Sequence, residues 1–126
     1  MFKSRGKLQI SNGVRIVSSF ELCRYYKKLF ELAHWNTIPS QLPRHGCHIS
    51  IYLPDIHGKN IDTSKINHLE GEQIEFSYNP ENFIITKKNV WMNVDCPRAL
   101  EIKNMMGIVD KNFWCFHIVV TNFKFE

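Results

Sequence analysis

Asn12-Gly13 stands between two short runs, Lys7 to Ser11 and Val14 to Val17, in which apolar and polar side chains alternate. Alternation at a period of two marks a strand with one buried face. Asn-Gly is the strongest short hairpin signal, since both central residues of a type I′ turn need φ > 0. Residues 7–17 are therefore expected to form an antiparallel hairpin. The same period returns at 46–53 (GCHISIYL), where Cys47, Ile49 and Ile51 face one way and His48, Ser50 and Tyr52 the other. Further strands are expected at 72–78, at about 82–86, at 89–94 and at 113–120.

Two segments carry helical spacing instead. Leu22, Tyr26, Leu29 and Ala33 recur on one face after Ser18 and Ser19, either of which can cap the helix, with Glu21 in its first turn. Pro39 and Pro43 follow in an extended loop. A second helix begins at Asp95-Cys96-Pro97, where proline is tolerated, and Gly107 is a plausible stop. Each half of the chain thus reads strand, helix, strand. The fold class expected is α+β, in a single domain spanning all 126 residues.

Composition excludes several classes. With 44% hydrophobic and 22% charged residues the chain is an ordinary globular one. A net charge of +4 excludes a polycation and leaves an anionic ligand open. No apolar run is long enough for a membrane helix, and the start of the chain lacks the apolar core of a secretory signal, so a cytoplasmic protein is expected. Cys23, Cys47, Cys96 and Cys115 form no C-x-x-C pair and read as buried free thiols. Neither a glycine-rich phosphate loop nor a cluster of metal ligands is visible, so no cofactor and no metal is expected.

Six histidines are the less ordinary count. His34 closes a helix, and His45, His57 and His68 lie in loops, where solvation explains them. His48 and His117 lie inside strands, followed by Ile-Ser-Ile and Ile-Val-Val. In His-x-Ser an imidazole and a hydroxyl share one strand face, about 6.5–7 Å apart, a spacing suited to holding one phosphate. Two such strands facing one cleft supply a base for the nucleophile and an acid for the leaving oxygen.

These residues carry a resemblance. The chain resembles the 2H phosphoesterases, a superfamily named for two H-x-[ST] motifs on strands of two similar lobes. His48-Ile49-Ser50 matches the first motif and His117 the histidine of the second. More narrowly it is similar to the phage anti-CBASS phosphodiesterases, which degrade cyclic oligonucleotide messengers of bacterial immunity. The blocks are Lys3 to Lys7, His48-Ile49-Ser50, Gly71 to Tyr78, Val90 to Val94 and Cys115-Phe116-His117, in order along the chain. The resemblance implies a two-lobed α+β fold with antiparallel sheets, two main helices and a central cleft. It implies a viral protein acting in the cytoplasm of an infected cell.

The chain departs from that pattern in two places. Val119 stands where the second motif expects Thr or Ser. Thr121 is expected on the same face, too far along to substitute without a bulge. The chain also stops nine residues past His117, earlier than expected, so contacts from the C-terminus are expected to be missing.

The expected activity is metal-independent cleavage of a cyclic di- or trinucleotide by His48, Ser50 and His117. Lys3, Arg5 and Lys7 are candidate phosphate contacts, and Tyr52, Tyr78 and Trp91 candidate base contacts. Trp35 and Trp114 are assigned to packing. No long nucleic acid is expected, because +4 is too little charge for a polymer groove. Two alternatives stand beside this reading: a protein that sequesters the cyclic nucleotide without cutting it, and an enzyme acting on RNA ends with 2′,3′-cyclic phosphates or 2′,5′-linkages.

Overall fold

Strands β1 (Phe2–Ile10) and β2 (Val14–Ser18) form the hairpin that alternation requires, with Ile10 paired to Val14. This is a computed structural model describing residues 2–33, 40–42, 47–58, 61–108 and 115–123. The turn differs from the type I′ expectation. Residues 11–13 connect the strands, and Gly13 is not among the glycines with positive φ. Glycine is needed there for closeness: a Cβ on Gly13 would lie 2.6 Å from the Tyr52 carbonyl oxygen.

Helix α1 (Phe20–Ala33) follows at once, with the Ser19 hydroxyl accepting from the Glu21 N–H at 3.2 Å. Its buried stripe is Cys23, Tyr26 and Phe30; of the expected face Tyr26 is buried and Leu22 packs partly against the core, but Leu29 and Ala33 are exposed. The apolar side of the helix is broad and also holds Tyr25, Leu29 and Leu32, so spacing alone admits more than one buried stripe, and the tyrosine and phenylalanine partners on the sheet decide between them. Tyr26 meets Tyr78 and Phe83 edge-on, and Phe30 meets Phe123.

The short strand β3 (Ser40–Gln41), β4 (His48–Tyr52), a one-turn helix α2 (Pro54–His57) and a 3₁₀ turn (Asn67–Leu69) come next. The two strands expected at 72–78 and 82–86 are one strand, β5 (Gln73–Ile85), with an irregularity in its pairing between Tyr78 and Phe83. β6 (Asn89–Asp95), α3 (Pro97–Met105) and β7 (Phe116–Phe123) complete the chain. Gly107, at φ 73°, ends α3 in the left-handed conformation that glycine favours. Arg98 grips Glu72 with two hydrogen bonds of 2.8 and 2.9 Å, tying α3 to the approach to β5.

Pairing closes the sheet into a ring. The order is β1-β2-β4-β7-β6-β5, β5 returns to β1, every pair is antiparallel, and β3 attaches to β7 outside the ring. One inward belt runs across all six strands: Leu8, Ile16, Ile49, Ile118, Met92 and Phe83 are successive cross-strand partners. The first five are at most 1% exposed. A six-stranded antiparallel barrel with one added strand and few helices therefore replaces the expected two-lobed α+β arrangement with a central cleft. The strand assignments are local and survive; the partner of each strand is not local, and β6–β7 together with β4–β7 join what were expected to be separate lobes.

Gly6 faces inward where β1 and β2 approach closely. A Cβ there would lie 2.6 Å from Ile16 Cγ2 and 2.8 Å from the Val17 carbonyl oxygen. Gly6→Ala is expected to cost about 1–3 kcal/mol through overpacking, read as a lower urea midpoint. A wild-type midpoint would mean that the hairpin has room to spare.

Candidate functional site

Antiparallel registry decides which side chains meet on the outside of the ring. β4 and β7 are joined at a single pair, Ile49 with Ile118, both fully buried. Because strand side chains alternate, the residues on either side of each isoleucine point outward. One step along that register sets Ser50 level with His117 and Val119 level with His48. In a regular ladder the two histidines are then diagonal neighbours, about 7–8 Å apart at the backbone. The two imidazoles sense one another: His48 contributes to the shift of the His117 pKa.

The neighbouring strands extend this into two outward rows. In the first, Lys7 pairs with Val17 and Val17 with His48, while Val119 pairs with Trp91. In the second, Gln9 pairs with Arg15 and Arg15 with Ser50, while His117 pairs with Asn93. Trp91 is half-buried, and its indole lies against the His117 imidazole with ring centroids 4.9 Å apart. His117 is open to solvent on its other side. Partial withdrawal from water, and then the positive charge of His48, hold its pKa below the ordinary 6.5. Asn93, beside His117, accepts a hydrogen bond from the Cys115 thiol at 3.0 Å.

Not every expected site residue joins this cluster. Tyr52 was expected to share the face of His48 and Ser50. The register slips between Val14 and Arg15, so that Arg15 pairs with Ser50 but Val14 with Tyr52. This bulge turns Tyr52 inward, where it is 5% exposed and its hydroxyl donates to the Gly58 carbonyl. Tyr78 is also buried, 6% exposed, and is held against Tyr26 with the two hydroxyls 3.4 Å apart. Lys3 and Arg5 face outward but lie further along β1, opposite Ser77 and Glu75 of β5, and Lys3 pairs with Glu75 at 3.7 Å. Only Lys7 of that basic segment lies in a row with a site histidine.

Thr121 is a second correction. The register slips again between Val90 and Trp91, which pair with Thr121 and Val119. The bulge at Val120 turns Thr121 to the inside, fully buried, rather than onto the face of His117. Val119 therefore has no hydroxyl beside it on its own strand.

Arg15 is the residue that sequence reasoning missed. Alternation in Val14-Arg15-Ile16-Val17 already puts it on the polar face, but its proximity to Ser50 needs the β2–β4 register. Among the other histidines, His57 accepts a hydrogen bond from the Leu53 N–H at its Nδ1 and His68 is exposed; His34 and His45 lie outside the described residues, as do Trp35 and Trp114. Cys23, Cys47, Cys96 and Cys115 are free thiols, the first three buried. Among the described residues no three His, Cys, Asp or Glu gather as a metal site, and no helix is long and apolar enough to cross a membrane.

Comparison with known protein families, with curated proteins and with solved structures finds no match to this chain.

The depressed pKa of His117 has a measurable consequence. An unfolded chain protonates this residue near 6.5, before the folded one does. Stability is therefore lost as pH falls from 6.5 through the folded pKa, and then levels. His117→Gln is expected to flatten that part of the urea-midpoint profile. In an NMR titration the His117 midpoint lies below 6.5 and rises toward it in Trp91→Ala; no movement would show that the indole does not shield the imidazole.

Proposed function

We propose that the protein is a phosphodiesterase in which His117 is the general base and His48 the general acid, acting on a cyclic di- or trinucleotide without a metal. The observation that carries this reading is the pair itself: two imidazoles diagonal across the β4–β7 junction, one with a lowered pKa, with a serine hydroxyl level with one of them. A histidine kept neutral near pH 7 is suited to accept a proton, and a second, protonated one to donate. The lowered pKa of His117 is what assigns it the base role, leaving His48 to donate.

The step balances without a co-reactant. His117 takes the proton of a ribose 2′-OH as its oxygen attacks the adjacent phosphorus. The P–O5′ bond breaks, and His48 gives its proton to the leaving 5′-oxygen. A linear product with a 2′,3′-cyclic phosphate and a free 5′-OH results. The Ser50 hydroxyl donates to a phosphoryl oxygen as charge builds there. The indole of Trp91 offers a stacking surface for one base on the β6 side. An infected cell's cyclic-nucleotide signalling is the setting that the sequence resemblance suggests.

Val119 supports a second reading, in which the protein binds the cyclic nucleotide and cuts it slowly or not at all. It stands outward and level with His48, and the inward turn of Thr121 removes the nearest hydroxyl that could replace the missing one. Loss of a hydrogen bond to a charged oxygen is worth roughly 1.5–3 kcal/mol.

Chromatography of cyclic dinucleotide incubated with the protein and EDTA separates these readings. Cleavage that persists in EDTA supports the enzyme. Intact ligand released on denaturing the protein supports sequestration, and cleavage lost with the metal overturns the two-histidine step. His48→Ala and His117→Ala are each expected to slow cleavage by about 10²–10⁴-fold while leaving the urea midpoint near wild type at pH 7.5. Retention of most activity in either would refute the assignment. Val119→Thr is expected to accelerate the reaction.

A further inference from the structure

We propose that Arg15 and Lys7 form a second anion subsite beside the histidine pair, so that the ligand is selected for carrying a second phosphate besides the one being cut. This rests on the two-histidine reading of the same face and names what else that face recognises.

Arg15 is the direct cross-strand partner of Ser50, and Lys7 is two strands from His48 in the same row. Neighbouring strands lie about 4.8 Å apart, so each cation starts about 10 Å from the histidine of its row, within reach of a long side chain. Between Lys7 and His48 stands only Val17, half-buried and short, which leaves the approach open. Among the described residues neither Arg15 nor Lys7 has a carboxylate partner; Glu75, an outward acid on β5, lies opposite Arg5 and pairs with Lys3. Neither outward row contains an acidic residue.

The two sides of the junction are therefore chemically different. The β6 side offers the indole of Trp91, and the β2–β1 side offers two cations with no carboxylate partner among the described residues. A ligand crossing the junction would place a base on the indole, the scissile phosphate between the imidazoles and its next phosphate at Arg15 and Lys7. A guanidinium can grip that phosphate with two parallel hydrogen bonds, whereas the ammonium acts as a point charge.

The probes are the dinucleotide ApA, which has one phosphodiester, and its 5′-phosphorylated form pApA, which adds one phosphate and nothing else. Cleavage is followed on the wild type, and binding by calorimetry on His48→Ala, where turnover does not intervene. The expected result is tighter binding of pApA than of ApA. Arg15→Gln is expected to reduce that preference about tenfold, Lys7→Gln less, and Arg15→Lys least. Lys87→Gln, an exposed cation in the β5–β6 turn, is the control for charge alone and should leave the preference intact. Equal binding of the two probes, or a preference that Arg15→Gln does not change, overturns the subsite. Turnover is read on the cyclic dinucleotide: preference for pApA with the cyclic dinucleotide left intact sinks the phosphodiesterase and leaves the subsite standing, and cleavage of the cyclic dinucleotide without that preference does the reverse.

Discussion

The pairing of Ile49 with Ile118 is the constraint on which the face depends. It is the one bridge between β4 and β7, and it joins the strand carrying His48 to the strand carrying His117. Both isoleucines belong to the buried belt, so the register cannot slip by one residue without carrying two apolar side chains into water and two imidazoles into the interior. Burying an unpaired imidazole or exposing an isoleucine each costs a few kcal/mol. The hydrophobic term that closes the ring is thus also what presents both histidines on one surface.

Two bulges bound that surface. The slip beside Arg15 turns Tyr52 inward, and the slip at Val120 does the same to Thr121. Without them strict alternation would continue the polar face along both strands, with a tyrosine at one end and a threonine at the other. The bulges instead confine it to His48, Ser50, His117 and Val119, and extend it sideways onto neighbouring strands. That is why the cluster grows across the sheet, to Arg15, Lys7 and Trp91, rather than along β4 and β7. Bulges beside sites commonly re-aim side chains in this manner.

How much of this was legible in the sequence follows from what is local. The hairpin at Asn12-Gly13, the helix after Ser19, the outward side of His48 and Ser50 and the glycine stop at Gly107 all depend on a few adjacent residues, and alternation or capping reveals them. The fold class failed because ring closure depends on pairs such as Trp91–Val119 and Gly6–Ile74, far apart in the chain, and no short-range pattern encodes a partner. Alternation and composition alone place Tyr52 and Tyr78 among the candidate ligand contacts. A bulge placed one of them inside, and α1 covers the other with Tyr26. Arg15 went unnoticed for the opposite reason: its side of the strand was readable, but its neighbour was not.

Helix α1 bears on the junction from the β7 side. The Cys23 thiol donates to the Val119 carbonyl at 3.4 Å, and the Ser18 N–H, just before the helix, donates to the Cys47 carbonyl at 2.8 Å. One bond thus holds β7 two residues past His117, and the other holds the residue before His48. A single-bridge junction leaves backbone groups that an ordinary ladder would satisfy, and a buried group left unpaired is costly. The hydrogen-bonded Cys47 sulfur, together with burial, pushes the Cys23 thiol well above its ordinary pKa, so it stays protonated and remains a donor. Helix α1 thus steadies β7 through Cys23, while the Ser18–Cys47 bond prolongs the β2–β4 ladder past His48. The stripe that holds α1 there is Cys23, Tyr26 and Phe30, the face that its aromatic partners select.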